Sequence, residues 1–308
     1  MIPKNNEIRF EICTSCNYNC CICARDRLTR KKEIMPTEKF KFYLQQILGA
    51  TGQYDTLTFS GFGEPLLDKD ILEKIKFARK RNLKVLLLTN GSLLTKEIFE
   101  KMEALGVESI RVSFYGITGA SYSKVHGVDG GYFEKTYKNL TDLCRSKRRV
   151  KILMTYNIVE SINDQDTSAW VKHWEPISDL VEIWKPHNWV YGRSYRKVQK
   201  EKVKTCGRPW NTPLQMQVDG TINMCCFDFN GDLLVGDLNK QGLEEIFKSG
   251  MYKKIASCHT SGNFEGSGLI CENCDQRNED KAGVLAYSSK FNPEDRIGRV
   301  STTYSKLS

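Results

Sequence analysis

Between residue 7 and about residue 185 the chain alternates strand-like and helix-like patterns, six strands with five helices between them, and this alternation limits the fold more than any other feature. "EIRFEIC", at the start, alternates apolar and polar residues as a half-buried strand does. "PTEKFKFYLQQILGA" (36–50) carries apolar residues at helical spacing behind a Pro-Thr start. "DTLTFSG" (55–61) reads as a second strand and "DKDILEKIKFARKRN" (68–82) as a second helix with Asp68 as its N-cap. "LKVLLLTN" (83–90) is apolar nearly throughout, as befits a strand buried on both faces. Helix 95–106, stopped by Gly106, precedes strand 107–116, and helix 131–147 precedes strand 149–159. Helix 164–175 and strand 179–186 close the series. Repeated β-α steps require parallel strands joined by right-handed crossovers. Such a sheet either opens as a doubly wound layer or curls toward a barrel, and in both cases ligands sit at the carboxyl ends of the strands.

The character changes after about residue 190. A basic stretch reads as a linker. "PLQMQVDGTINMCC" (213–226) reads as a hairpin turning at Asp219-Gly220, and 243–257 as a helix. "CENC" (271–274) follows a Gly- and Ser-rich loop, and the chain is polar from 281. The expected organisation is a core domain over 1–200, a small second domain over 201–280 and a C-terminal tail over 281–308. No apolar run approaches the roughly 20 residues of a membrane span, and "MIPKNNEIRF" lacks the apolar segment of a signal peptide. The expected compartment is therefore the cytoplasm, where thiols stay reduced and 12 cysteines point to metal ligation or catalysis instead of disulfides.

Five of those cysteines crowd into "CTSCNYNCCIC" (13–23), directly after the first strand. Two spacings compete there. Cys13-x2-Cys16 with Cys20-x2-Cys23 suits tetrahedral zinc. Cys16-x3-Cys20-x2-Cys23 offers three thiolates to a [4Fe–4S] cube and leaves its fourth iron open. An open iron can chelate an amine and a carboxylate, and S-adenosylmethionine has both beside its sulfonium. The loop's place at the carboxyl end of a strand favours the functional reading.

The Cys16, Cys20, Cys23 spacing resembles the signature of the radical S-adenosylmethionine (radical SAM) superfamily. The second strand runs into "SGFGEP" (60–65), which resembles that family's Gly-Gly-Glu-Pro turn, with Phe62 in place of the first glycine. The resemblance implies a partial (β/α)6 TIM-like barrel, with Gly63 and Glu64 meeting the methionine amino group. It places Ile22, where many members carry an aromatic residue, beside adenine. Ser113 matches a polar residue used on the ribose or carboxylate, and Thr89 and Asn90 could serve similarly. The family's glycine-containing pattern on strand five is not evident in "ILMTYNIVES", so no contact is inferred there.

Cys206, a hairpin glycine at 220, Cys225, Cys271 and Cys274 resemble the SPASM/twitch extension of the same superfamily, a small α+β iron–sulfur domain. No cysteine follows Cys274, which matches the shorter twitch form with one auxiliary [4Fe–4S] cluster, two clusters per chain in all. Cys226 or Cys258 could replace one of these four, and a zinc ribbon is the alternative use of the same ligands. Cys13, Cys21 and Cys144 read as packing residues.

His126 lies in an expected loop after strand four. His187, Asn188, Trp189, Tyr191 and Arg193 leave the sheet after strand six, a set suited to hydroxyls and anions. His187, Tyr191, Arg193 and His126 are therefore the candidate catalytic residues. Basic runs at 25–32, 145–149 and 193–204 underlie the net charge of +9. They read as solvated faces, or as contacts to an anionic small molecule. Aromatic residues do not interleave with them as a single-strand nucleic-acid groove requires.

The resemblance implies an oxidoreductase. The 5′-deoxyadenosyl radical made from S-adenosylmethionine would take a hydrogen atom from a small polar, sugar- or cyclitol-like substrate. Oxidation or epimerisation would follow, with the auxiliary cluster relaying an electron and a flavodoxin or ferredoxin as donor. One alternative is a peptide-modifying maturase, although a first strand near residue 7 leaves little room for a preceding recognition domain. The alternative from another class is a zinc or iron–sulfur module that grips nucleic acid.

Overall fold

A computed structural model describes residues 2–189, 194–198 and 201–291, and the backbone of 305–306. Six strands, β1 (Glu7–Phe10), β2 (Thr56–Phe59), β3 (Lys84–Thr89), β4 (Ser109–Ser113), β5 (Lys151–Asn157) and β6 (Leu180–Lys185), pair in parallel in their order along the chain. A doubly wound sheet would reverse that order at a switch point. The consecutive order is that of a barrel. The barrel is partial, because β1 and β6 do not pair with each other. Between the strands run α1 (Thr37–Ala50), α2 (Ile71–Arg79), α3 (Lys96–Ala104), α4 (Gly119–His126), α5 (Gly130–Arg145) and α6 (Thr167–Trp174). α1 buries Phe40, Tyr43, Leu44 and Ile47, one helical face, with Phe40 edge-on to Phe10 of β1 at 4.9 Å.

Two local expectations change. α2 begins at Ile71, with Asp70 and not Asp68 at its N-cap. Asp68 is buried instead, accepting the Asp70 N–H and the ammonium of the equally buried Lys74. A buried lysine needs such a partner, and that need outweighs capping. The loop expected after β4 contains α4. Thr118 and Ser121 cap each other reciprocally at its start, and Gly127, at φ +62°, ends it.

The second part of the chain extends the same sheet. After the one-turn helix α7 (Arg208–Asn211), β7 (Leu214–Met216) pairs in parallel with β1. β8 (Thr221–Asn223) returns antiparallel through Gly220, at φ +100°, and β9 (Leu234–Asp237) follows. The expected helix over 243–257 is two helices, α8 (Leu243–Ile246) and α9 (Gly250–Ser261). The break comes where the Ser249 hydroxyl caps the second by accepting the Tyr252 N–H. The expected tail supplies β10 (Gly283–Ser289), antiparallel on β6, and β11 (Ser305–Lys306) beside it. A single hydrophobic core runs through both parts, from Ile8 and Trp174 to Ile222 and Ile255. Among the described residues no helix is long and apolar enough to cross a membrane.

His173 braces α6 against α5. Its Nδ1 lies 3.0 Å from the Tyr137 hydroxyl and its Nε2 3.1 Å from Thr141 Oγ1. Burial, and secondarily Arg145, lowers its pKa below the usual histidine value. A base with a lowered folded pKa contributes stability that is present above its unfolded pKa of about 6.5 and is lost as pH falls below it. We expect the Tm of the apoprotein to drop between pH 7 and pH 5, and the drop to be smaller in His173→Gln.

Candidate active site

The cysteine loop after β1 is seated on the end of α4. The Asn19 N–H donates to the His126 carbonyl at 3.1 Å and the Cys21 N–H to the Val125 carbonyl at 2.8 Å. These are carbonyls that the last turn of a helix leaves without intrahelical partners. Gly127 makes the fit possible, since a Cβ there would stand 2.1 Å from the Asn19 carbonyl oxygen. A Cys23 N–H to Cys20 carbonyl bond at 3.0 Å curls the loop, and Cys16, Cys20 and Cys23 all line one cavity. Burial pushes each of their thiols up. Cys23 reaches about 11, and Cys20 rises well above the usual thiol range, with Cys23 and Cys16 adding to the effect. Three crowded thiols that resist ionising singly suit a metal centre, whose charge stabilises all three as thiolates.

The Ser60–Pro65 turn packs onto this loop from β2. Glu64 donates its N–H to the Ser15 carbonyl at 2.8 Å, and a Cβ on Gly63 would lie 2.2 Å from the Cys13 carbonyl oxygen. Only glycine allows that approach. The Phe62 N–H donates to Glu11, itself gripped by both terminal nitrogens of Arg30 at 2.6 and 3.0 Å. Arg25 donates to the carbonyls of both Phe62 and Thr14 at 2.6 Å, joining turn to loop. Sequence reasoning missed Glu11, Arg25 and Arg30. The two arginines belong to the basic run over 25–32, which reads as a solvated face, and no local pattern marks their distant partners.

Glu64 is 2% exposed, and burial raises its pKa. Its carboxylate accepts from Thr89 Oγ1 (2.7 Å), the Asn90 N–H (2.8 Å) and the Leu66 N–H (3.0 Å). A carboxylate has about four acceptor positions, so one is left for a ligand. Thr89 and Asn90 therefore stand at the cavity as partners of Glu64. The Asn90 amide also donates to Asn17 Oδ1 at 2.9 Å and approaches Cys16 Sγ at 3.9 Å. Ser113 and Ile22 line the same cavity. The Ile22 carbonyl accepts the Trp189 indole N–H at 2.8 Å, so what Ile22 offers a ligand is its apolar side chain.

Cys206, Cys225 and Cys226 line the cavity as well. Burial lifts the thiols of Cys271 and Cys274 to about 12, with Cys206 a further raising influence on both. Cys225 is pushed up as well, first by the Cys226 thiol and then by burial, with Cys274 a smaller influence. Cys226 lies beside Cys225. Arg208 Nη1 lies 3.5 Å from its sulfur, and first the Cys225 thiol, then this guanidinium, hold Cys226 well below the usual range. Cys258 packs against the core from α9. Of the candidate catalytic residues, His126 and His187 line the cavity, and His187 stacks on Phe227 at 3.9 Å. Its Nε2 is 2.8 Å from Asp275 Oδ1 and 3.8 Å from Cys274 Sγ, and its Nδ1 has no hydrogen-bond partner among the described residues. Tyr191 and Arg193 lie outside the described residues. His126 belongs to α4, is 0% exposed and has both ring nitrogens engaged, and burial holds it near 3, so it is not poised as a catalytic acid. One cavity of about 570 Å³ thus meets both cysteine sets.

The sequence model of the radical SAM superfamily matches residues 10–171, more than half of the 308-residue chain. The model of the SPASM iron–sulfur cluster-binding domain matches 206–275. The chain is similar to an AdoMet-dependent heme synthase from Methanosarcina barkeri, 34% identical over 131 residues that are 42% of this chain and 36% of that protein. It is also similar to a "Probable GTP 3',8-cyclase" from Thermococcus kodakarensis, 28% identical over 200 residues, 63% of this chain and 62% of that one. The chain thus spans less than two thirds of the length of these relatives. In structure it resembles BtrN in complex with AdoMet and 2-DOIA, with a TM-score of 0.61 and 19% identity over 92% of this chain and 100% of that one. It resembles Streptococcus suis SuiB bound to precursor peptide SuiA with a TM-score of 0.67 and 12% identity over 88% and 70%. At these identities the likeness is one of fold.

The seat at Gly127 is open to a direct test. Gly127→Ala adds the left-handed backbone penalty of about 1–2 kcal/mol and drives a methyl into Asn19. Gly266→Ala, at φ +64° with open space around it, adds the first without the second. Both variants should lose thermal stability, but only Gly127→Ala should also lose iron after anaerobic reconstitution.

Proposed function

The chain belongs to the radical SAM superfamily, an enzyme family whose core domain binds a [4Fe–4S] cluster and S-adenosylmethionine and whose SPASM domain binds further iron–sulfur clusters, and from that premise we propose an oxidoreductase acting on a small, polar, sugar- or cyclitol-like alcohol. The observation that carries this reading is the cavity of about 570 Å³ lined both by Cys16, Cys20 and Cys23 and by Cys206 and Cys225. A substrate held there shares the cavity with both sets. When bound, the cofactors supply a 5′-deoxyadenosyl radical that removes one hydrogen atom from a substrate carbon, and an iron–sulfur centre able to accept the second electron of an oxidation.

The protein's part is to hold and orient. Cys16, Cys20 and Cys23 are assigned to the S-adenosylmethionine-binding cluster, and Cys206, Cys225, Cys271 and Cys274 to one auxiliary cluster. The donor chemistry fits, since each set offers several free, partly buried thiols. Gly63 gives the methionine amino group close backbone approach, and the free acceptor position on Glu64 takes one of its hydrogen bonds. Ser113, Thr89 and Asn90 are placed for the ribose or carboxylate, and the Ile22 side chain for adenine. His187, in the cavity wall, is assigned to the substrate. Arg208 gives the cavity a positive wall, which suits a substrate bearing an anionic group. A flavodoxin or ferredoxin would deliver the reducing electron.

Anaerobically reconstituted protein should hold about eight iron and eight sulfide per chain, and Cys16→Ala/Cys20→Ala/Cys23→Ala should keep about half of both while making no 5′-deoxyadenosine. Cleavage of S-adenosylmethionine by the triple variant would overturn the ligand assignment. Transfer of deuterium from a labelled cyclitol into 5′-deoxyadenosine is the expected mark of the substrate class. Transfer from a peptide instead would overturn that part of the reading.

A further inference from the structure

The ring of His126 is held by both nitrogens. The Tyr115 N–H donates to Nε2 at 3.0 Å, and Nδ1 stands 3.3 Å from Cys20 Sγ. A neutral imidazole has one N–H. Because Nε2 is accepting, the proton is on Nδ1, and the bond to Cys20 runs from nitrogen to sulfur. Three tyrosines fix the ring plane. Tyr115 stacks on it at 5.0 Å with planes 12° apart, Tyr122 lies at 4.3 Å, and Tyr18 is edge-on at 5.3 Å. The residue is 0% exposed, so water does not compete for its ring nitrogens. The carbonyl of the same residue anchors Asn19 of the loop.

We infer that His126 is a positioning residue that sets the reduction potential of the cluster held by Cys16, Cys20 and Cys23, by donating its Nδ1–H to the Cys20 thiolate. This rests on the ligand assignment made above. A fixed donor aimed at a ligand sulfur stabilises negative charge on it, and more so once the cluster has gained an electron. With the donor ring buried, the bond is stronger than it would be at the surface. Its effect is to raise the potential and ease one-electron reduction by a protein donor. Hydrogen bonds to cluster sulfurs are among the recognised determinants of such potentials.

Two substitutions separate the halves of the ring. His126→Gln places an amide oxygen near Nε2, keeping an acceptor for Tyr115 but no donor for Cys20. His126→Asn places an amide N–H near Nδ1, keeping the donor and giving up the acceptor. The measurement is an anaerobic redox titration of the reconstituted holoprotein, following the electron paramagnetic resonance signal that changes on adding S-adenosylmethionine. In His126→Gln the equilibrium constant for reduction should fall about tenfold, a shift of about 59 mV for one electron. His126→Asn should stay within about twofold of wild type, and the auxiliary signal should not move in either variant. A wild-type potential in His126→Gln overturns the inference, as does a shift confined to His126→Asn. Loss of the signal in His126→Gln with retention in His126→Asn also overturns it, because the bond would then hold the ligand in place without tuning it. A wild-type protein with no signal responsive to S-adenosylmethionine overturns the ligand assignment itself, and this inference with it.

Discussion

The carboxylate of Glu64 is the constraint around which the front of the barrel is arranged. An ionised carboxyl removed from water is costly unless donors surround it. Here the donors come from two elements, the Leu66 N–H in its own turn and the Thr89 hydroxyl and Asn90 N–H at the end of β3. The Glu64 N–H meanwhile reaches the Ser15 carbonyl in the cysteine loop. The ends of three neighbouring strands are thus tied through one residue. None of the three can shift without leaving a buried polar group unpaired, and that penalty makes the loop geometry specific. Glu11, Arg25 and Arg30 repeat the arrangement one layer out, holding the Phe62 peptide by both its N–H and its carbonyl.

The same logic of shared edges brings the second cysteine set to the first. A separate small domain on a flexible linker would have no fixed distance to the barrel. Instead β7 continues the β1 ladder, Phe10 opposite Met216, and Cys225 and Cys226 follow directly after β8 and Met224. Their place relative to Cys16 is therefore set by backbone hydrogen bonds. β10 does the equivalent on β6. Both edges of the partial barrel are covered, so the open edges of the sheet move out to β9 and β11.

Features with a period or a fixed spacing were legible in the sequence. The alternation of strands and helices, the apolar face of α1, the hairpin at Gly220 and the crowding of thiols in 13–23 all follow from local chemistry, whereas Gly63 is marked by the resemblance of its turn. What stayed hidden depends on residues far apart. α4 is short and mixes Gly, Ser, Lys and His, so no apolar stripe announces it, and its role as the seat of the cysteine loop requires knowing that Asn19 faces its last turn. Asp68 reads as a cap until Lys74 is seen to be buried beside it. His126 looks like one more polar loop residue, because nothing in "KVHGVDGGY" hints at a sulfur 106 positions earlier in the chain.

The charge of the chain is the last feature whose meaning changes with the structure. Read as composition, +9 suggests solvated lysine and arginine faces. Several arginines instead face inward with defined partners. Arg30 is matched to Glu11, Arg9 to Glu7 and Arg196 to Asp275. Arg208 differs from these. Its contacts among the described residues are the Cys226 sulfur and the face of Phe227, 4.7 Å away, with no carboxylate between. A guanidinium drawn out of bulk water calls for a countercharge. Burial acts to lower its pKa, and the nearby thiols act to raise it, Cys226 first, then Cys225, Cys206 and Cys274. On the proposed assignment three of those four are cluster ligands, so the positive wall of the cavity and the negative charge of the auxiliary centre are two sides of one electrostatic arrangement.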